Sequence, residues 1–438
     1  MKMEDMVIVS VDDHAVEPTD AFFKHFTGIY KDEAPRVVER NGKDVWLWNE
    51  TIFPTIGLNA VVGRPRSEYG MEPDRFTQMR AGCYDAKSRL ADMNANGICG
   101  SLNFPTFPSF AGNQFIKAAL KGDGEKALRA VRAWNDWHVL DWCAEGPGRF
   151  IPMIMLPLWD MDAVLAEMKR WAAHDVHAVT FPDNPARVGL PSIHNEYWEP
   201  FWKACVEYKM VINCHIGTGG AAEHASDESP IDAWITTMPI SISNAAADWL
   251  FADFMRRYPD LRMALSEGGI GWVPYLLERA DYTYEHHREW TFCNMGELRP
   301  SDIFKRQIIT CFVDDQFGLK NLDYMNADLV CYEVDYPHSD TLWPNCPEYL
   351  WPSLKHLDPE IIDKVTHQNV MREYSFDPYT VLGGRENCTV RHLRELGKDV
   401  DVSPRANLGG LKTDSMDLVG QARRRVTSGE ITQMFASA

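Results

Sequence analysis

The chain has 438 residues, 45% hydrophobic and 24% charged, with a formal net charge of -19 at pH 7. That length and balance suit one large globular domain with additions, while the negative charge and the lack of any basic stripe exclude nucleic acid or an anionic membrane surface as the main partner. No stretch is long and apolar enough to span a bilayer and Met1-Lys2-Met3-Glu4-Asp5 carries no leader pattern, so a cytoplasmic protein is expected.

Residues 7–14, Val-Ile-Val-Ser-Val-Asp-Asp-His, read as a first strand. Alternate residues of a strand share a face, which places Asp12 and His14 side by side. Asn41-Gly42, between the β-forming runs 36–38 and 45–48, signals a hairpin. A small insertion over about 31–70 is therefore expected, with 57–70 a loop suited to be a mobile cover over the site. A helical pattern from Asp74 stops at Gly97, and Ile98 to Asn103 reads as strand two. A helix from about Glu125 to Cys143 follows, then strand three, Phe150 to Leu158, continuous in apolar residues as parallel strands buried on both faces are. Strand four, Ala178 to Phe181, opens into Pro182-Asp183-Asn184-Pro185. Strand five is Met210 to His215, strand six Arg262 to Glu267, strand seven Ile308 to Val313 and strand eight Leu329 to Asp335. Eight strands interleaved with helices predict an α/β fold, a (β/α)8 TIM barrel over 1–377, whose active site forms at the C-terminal strand ends. Residues 378–438 are polar without a long amphipathic period and read as a C-terminal arm or tail, suited to contacts in a homo-oligomer. The 10 cysteines form no CxxC pair and several lie in apolar stretches, as reduced buried thiols do.

Acids and histidines fall at those strand ends. Imidazole and carboxylate groups bind divalent first-row metals, and an oxygen-rich set leans toward harder ions such as iron or manganese. Asp12, His14, His215, Glu267 and Asp335 form such a set, which Asp183 and His338 enlarge. A single Asp-Asp-His is most often a strand end followed by a turn, but turns do not explain its recurrence on strands one, five, six and eight. Asp183 also reads as a turn residue before Asn184-Pro185, and His338 as a hydrogen-bond partner of a ligand. Glu333 shares a face with Asp335 and is expected deeper in the barrel, orienting a ligating histidine. His194, in the loop after strand four, is a candidate substrate contact or a structural loop histidine. There is no phosphate-loop motif and no nucleophile elbow.

Asp12-Asp13-His14 with Glu17-Pro18, His215-Ile216-Gly217, Glu267-Gly268-Gly269 and Asp335-Tyr336-Pro337-His338 resemble the amidohydrolase-related branch of the amidohydrolase superfamily, over roughly 6–376. Two departures stand out. Asp12 occupies the place of a usual His or Glu, and Glu267 the place of the strand-six histidine of the decarboxylases and hydrolases. The stretches 266–274, 191–194 and 336–340 are more similar to the subgroup containing the non-haem diiron monooxygenase of platensimycin and platencin biosynthesis. That resemblance implies two Fe ions drawing ligands from Asp12, His14, Asp183, His215, Glu267, Asp335 and His338, with Asp335, Glu267 and His338 as catalytic groups. It implies dioxygen and an electron donor as co-reactants, and hydroxylation of a bulky apolar small-molecule substrate such as a CoA-linked terpenoid or steroid acid. The alternative is a Zn- or Mn-dependent hydrolase or decarboxylase acting on an amide, ester, lactone or aromatic carboxylate, with Asp335 as general base. A barrel that only binds a ligand or partner is the third reading.

Overall fold

The structure, a computed structural model, describes residues 1–70, 72–220, 222–406 and 425–436. Its eight barrel strands are β1 (Val9–Ala15), β5 (Gly100–Pro105), β6 (Phe150–Ile151), β7 (Ala178–Thr180), β8 (Val211–His215), β9 (Met263–Ser266), β10 (Ile308–Phe312) and β11 (Val330–Tyr332). Between β1 and β5 lie β2 (Arg36–Arg40), β3 (Lys43–Trp48) and β4 (Thr51–Phe53). The barrel strands pair in parallel as two arcs, β1-β5-β6 and β11-β10-β9-β8-β7. Ile154 bridges Val179 in parallel across one seam. Across the other, Asp335 N donates to Asp12 O at 2.8 Å and His14 N to Tyr336 O at 2.7 Å. The strands thus follow one another in chain order around the expected barrel.

Val9, Val11, Leu102, Ile151, Val211, Ala264 and Ile309 fill the interior, and a larger apolar layer joins the strands to the surrounding helices. Burial on both faces is why these strands run apolar without alternation. Strand three departs from expectation. Pro152 and Pro157 have no N–H to give a ladder, so only Phe150 and Ile151 pair as a strand and Ile154 makes a lone bridge.

The hairpin forms where Asn41-Gly42 places it, with φ of 51° and 79° at the two turn residues, the left-handed pair that a tight two-residue hairpin requires. The following loop is pinned down. Glu72 accepts the N–H groups of Gly57, Leu58 and Asn59 at 3.0, 2.7 and 2.7 Å, and the N–H groups of Val61 and Val62 both reach Pro337 O at 3.0 Å. It is thereby seated beside His338.

The C-terminal stretch departs from an extended arm over its first part. Pro378–Leu382 and Val390–Leu396 are helical, Val7 pairs with Thr389, and Val390 and Leu393 are buried at the N-terminal end of the barrel. Helices of five and seven residues are too short to display an amphipathic period. Arg405 N then bonds Gly63 O at 2.8 Å, and Ile231 N bonds Val426 O at 2.9 Å. The part of the tail reading that falls on 407–424 lies outside the described residues. No helix among the described residues is long and apolar enough to cross a membrane, and all ten cysteines are free, nine of them buried.

Candidate metal centre

The strand ends deliver Asp12 and His14 from β1, His215 from β8, and Asp335 and His338 from the segment after β11. His14 Nε2 lies 3.4 Å from both Asp12 Oδ1 and Asp335 Oδ1, and His215 Nε2 lies 3.4 Å from Asp12 Oδ2. Asp12, His14 and His215 form one group with donor atoms mutually within 4.8 Å, and His14, Asp335 and His338 a second. His14 belongs to both. All five residues are buried, with Phe110 against both rings, 4.5 Å from His14 and 4.3 Å from His215.

Both oxygens of Asp12 and of Asp335, both nitrogens of His14, and Nε2 of His215 and His338 are buried without a hydrogen-bond partner. Leaving a buried polar atom unsatisfied costs about 1–3 kcal/mol, so a cluster of this kind is intelligible only if something else binds it. Burial and mutual repulsion push the carboxyls of Asp12 and Glu267 well above their ordinary range, and burial with the charges of Asp340 and Asp13 does the same to Asp335. Burial also holds His14 well below the usual imidazole value, His215 at about 3 and His338 at about 4. Neutral imidazoles among carboxylates that lack a counter-charge are the donor set of a divalent cation. The residues therefore fit a metal.

The tautomer of His215 is set by the backbone: its Nδ1 lies 2.7 Å from Ile216 O, which turns Nε2 inward with a free lone pair. Glu267 does not share a group with His14, but its Oε2 is 3.2 Å from His215 Nε2. Glu333 corrects the sequence reading. Its Oε2 accepts the N–H of Glu267 at 3.0 Å and bonds no histidine among the described residues, because its side chain reaches past β10 to the end of β9. Glu267 itself has φ of 57°. Asp315 secures the far side of this turn, taking the N–H groups of Ile270 and Gly271 at 2.8 and 2.6 Å.

Asp183 and His194 stand outside both groups. β7 ends at Thr180, and Asp183 three residues on packs its carboxylate against Asn184 and Gly219. Its link to the centre is indirect: Asp183 N donates to Thr218 Oγ1, which donates to His215 O at 2.6 Å. His194 pairs with Asp248 at 2.8 Å, both about half exposed, on the rim. Asp13, Arg89 and Phe110 escaped the sequence reading. Asp13 points away from Asp12, takes the hydroxyl of Ser101 and accepts Tyr336 N at 3.0 Å. Arg89, fully buried, donates to Gly82 O and His14 O and lies 4.0 Å over the Tyr336 ring. A fully buried arginine leaves no periodic signal. The adjacency of Asp13 to Asp12 was the available clue, since neighbours on a strand face opposite ways.

An α/β barrel with carboxylates and neutral imidazoles converging at its C-terminal strand ends defines a metal-dependent enzyme. A family model described as amidohydrolase matches 72–376, and the chain belongs to that family. No curated protein matches in a comparison of sequences. Among solved structures, an amidohydrolase from Mycobacterium avium subsp. paratuberculosis is similar at TM-score 0.64 and 17% identity, covering 84% of this chain and 99% of that one. A 5-carboxyvanillate decarboxylase from Novosphingobium aromaticivorans, solved with manganese and a nitrobenzoic acid ligand, gives 0.59 at 16% identity, covering 86% and 99%. A 2,6-dihydroxybenzoate decarboxylase from Rhizobium gives 0.52 at 16%, covering 84% and 99%.

Proposed function

We propose that this chain is a metal-dependent hydrolase or decarboxylase that holds one divalent ion, manganese or zinc, between Asp12, His14, His215 and Asp335. The observation that carries this reading is the placement of His14 Nε2, 3.4 Å from a carboxylate oxygen on either side, which marks one common pole. When bound, the ion supplies Lewis-acid activation of a carbonyl and of water. The chain's own residues do the rest. Ile216 O keeps the proton of His215 on Nδ1. Asp335 Oδ1 and His338 Nδ1, 2.9 Å apart, are the pair between which a proton passes. Phe104 and Phe110 close the barrel side of the centre to water. Glu333 and Asp315 hold the Glu267 turn so that its carboxylate faces His215. The manganese in the decarboxylase relative supports the choice of ion, and ten free cysteines agree with a reducing, cytoplasmic setting.

A second reading is favoured by Glu267, an additional carboxylate 3.2 Å from His215 Nε2 where the hydrolases carry histidine. It is the diiron monooxygenase, with dioxygen, an electron donor and a bulky, CoA-linked apolar acid as co-reactants and substrate. Metal analysis of anaerobically purified protein separates the two. One manganese or zinc per chain with an unchanged spectrum on admitting oxygen is expected, whereas two irons per chain with a new ferric absorption would replace the first reading by the second.

A further inference from the structure

Beside the metal centre, a cleft of about 590 Å³ opens between the loop after β7, the loop after β8 and the helical stretch 237–248. Two of its lining residues stand next to the loop that carries His215: Gly217, two residues beyond it, and Asp183, whose N–H bonds Thr218 Oγ1, itself a donor to His215 O. Its composition is unlike that of a pocket for a flat ring or a terpenoid. No described lining residue is aromatic, and the apolar ones are Ala222, Ile240 and Ala245. The remainder are hydrogen-bonding or charged, apart from two glycines. Asn184 on one wall, and Ser243 with Asn244 on the other, make no side-chain hydrogen bond within the described structure, so donors and acceptors from both sides are free to face the cleft. The charged lining groups are Asp183, Glu223 and Asp248 against Arg187, and such an acid excess repels a polyanion.

We infer that the cleft receives the remote end of the substrate and that this end is neutral and hydroxyl-rich, a polyol-type chain or ring carrying the amide, lactone or carboxyl group that reacts at the metal. Carboxamide side chains supply both a donor and an acceptor, which is the complement of a hydroxyl, and two of them on opposite walls fix a polyol by several directed bonds. A site built to hydrogen-bond hydroxyl groups rejects an apolar analogue strongly, because its own polar groups are then left without partners. The inference rests on the proposed hydrolase or decarboxylase only for the reacting group, since no residue of either metal group lines the cleft.

Calorimetric titration tests it with four sets of probes: neutral polyol amides and lactams of four to seven carbons, D-gluconamide among them, then citrate, 2,6-dihydroxybenzoate and cholate. Each is titrated into manganese-loaded and into chelator-stripped full-length protein. A neutral polyol is expected to bind best in both forms, and at least tenfold more weakly to Asn184→Leu and to Asn244→Leu, each checked for native circular dichroism and unchanged metal content. The inference is overturned if no neutral polyol binds, if citrate, the benzoate or cholate binds most tightly, or if neither substitution weakens binding. Failure to retain metal would count against the proposed function alone, and polyol binding to the stripped protein would still judge the cleft.

Discussion

Asp335→Asn should act in opposite directions on the metal-free and metal-loaded protein. Without metal, both Asp335 oxygens are buried, Oδ2 has no partner and Oδ1 only the His338 Nδ1 at 2.9 Å, and burial, Asp340 and Asp13 all oppose its charge. Asn keeps as many polar atoms there but carries no charge, so the exchange relieves only what a buried charge costs beyond a buried neutral group, about 1–3 kcal/mol. The backbone does not confound the exchange: φ at this position is 54°, and Asn enters the left-handed region as readily as Asp. At roughly 2 cal/mol/K per residue, a chain of 438 residues unfolds with about 0.9 kcal/mol/K, so the metal-free variant should melt about 1–3 °C higher. Because its folded pKa is raised, the carboxyl stabilises the fold below its unfolded value, and that contribution is lost as pH rises through the folded one. The gain in the variant should therefore grow with pH. With metal at about 1,000 times its dissociation constant, wild type should gain about 4 kcal/mol, some 4 °C on the same scale, and the variant nearly nothing. Differential scanning fluorimetry with chelator and with manganese, at several pH values, reads all three. A variant that melts lower without metal yet keeps the full metal-induced rise would refute the reasoning.

Three other outcomes follow from the same structure. His138 is fully buried, stacked 4.7 Å from Trp134, and burial lowers its pKa from 6.5 to about 3; the stability tied to its neutral form is present above 6.5 and lost as pH falls toward 3. Urea titrations at pH 8 and pH 5 should therefore show His138→Phe losing about 2 kcal/mol less than wild type on acidification. Asp315→Ala removes the acceptor of Ile270, Gly271 and Gly318, which should cost about 2–4 kcal/mol at about 1 kcal/mol or more per bond and broaden the visible spectrum of the cobalt-substituted protein by freeing Glu267. In Gly82→Ala the new methyl would sit 2.3 Å from Asp92 Oδ2 and 2.5 Å from the Tyr336 hydroxyl, breaking the 2.6 Å bond between them; overpacking of about 1–3 kcal/mol and weaker metal retention, measured by melting and by elemental analysis after gel filtration, are expected.

The strand-end cluster was legible because strand ends are marked twice, by an apolar run and by the polar residue that stops it. Asp12, His14, His215 and Asp335 carry both marks. Asp183 carried them too, but Pro182 and Pro185 direct its turn, and a side chain three residues beyond its strand follows the loop rather than the barrel axis. Strand three was read too long because apolar composition says nothing about missing N–H groups at Pro152 and Pro157. Glu333 was placed correctly in depth, yet its partner sits at the end of β9 with β10 between them, and alternation along one strand tells which face a side chain takes but not what it meets across the barrel. The cleft was not legible at all. Asn184, Ser243 and Asn244 are ordinary polar residues until folding sets them across one space.

The barrel seam between β1 and the segment after β11 has a consequence for biosynthesis. Tyr336 N meets Asp13 Oδ1 across 323 residues of chain, and Asp335 and Asp12 flank the same join. A ribosome that has made the first three hundred residues has released Asp12, His14 and His215 but not the acid that completes the ring around His14 Nε2. Contacts this far apart in sequence close late. On the proposed reading, full affinity for the ion is thus deferred until the chain has been made past Asp335, and a barrel still lacking that strand end holds only part of the ligand set.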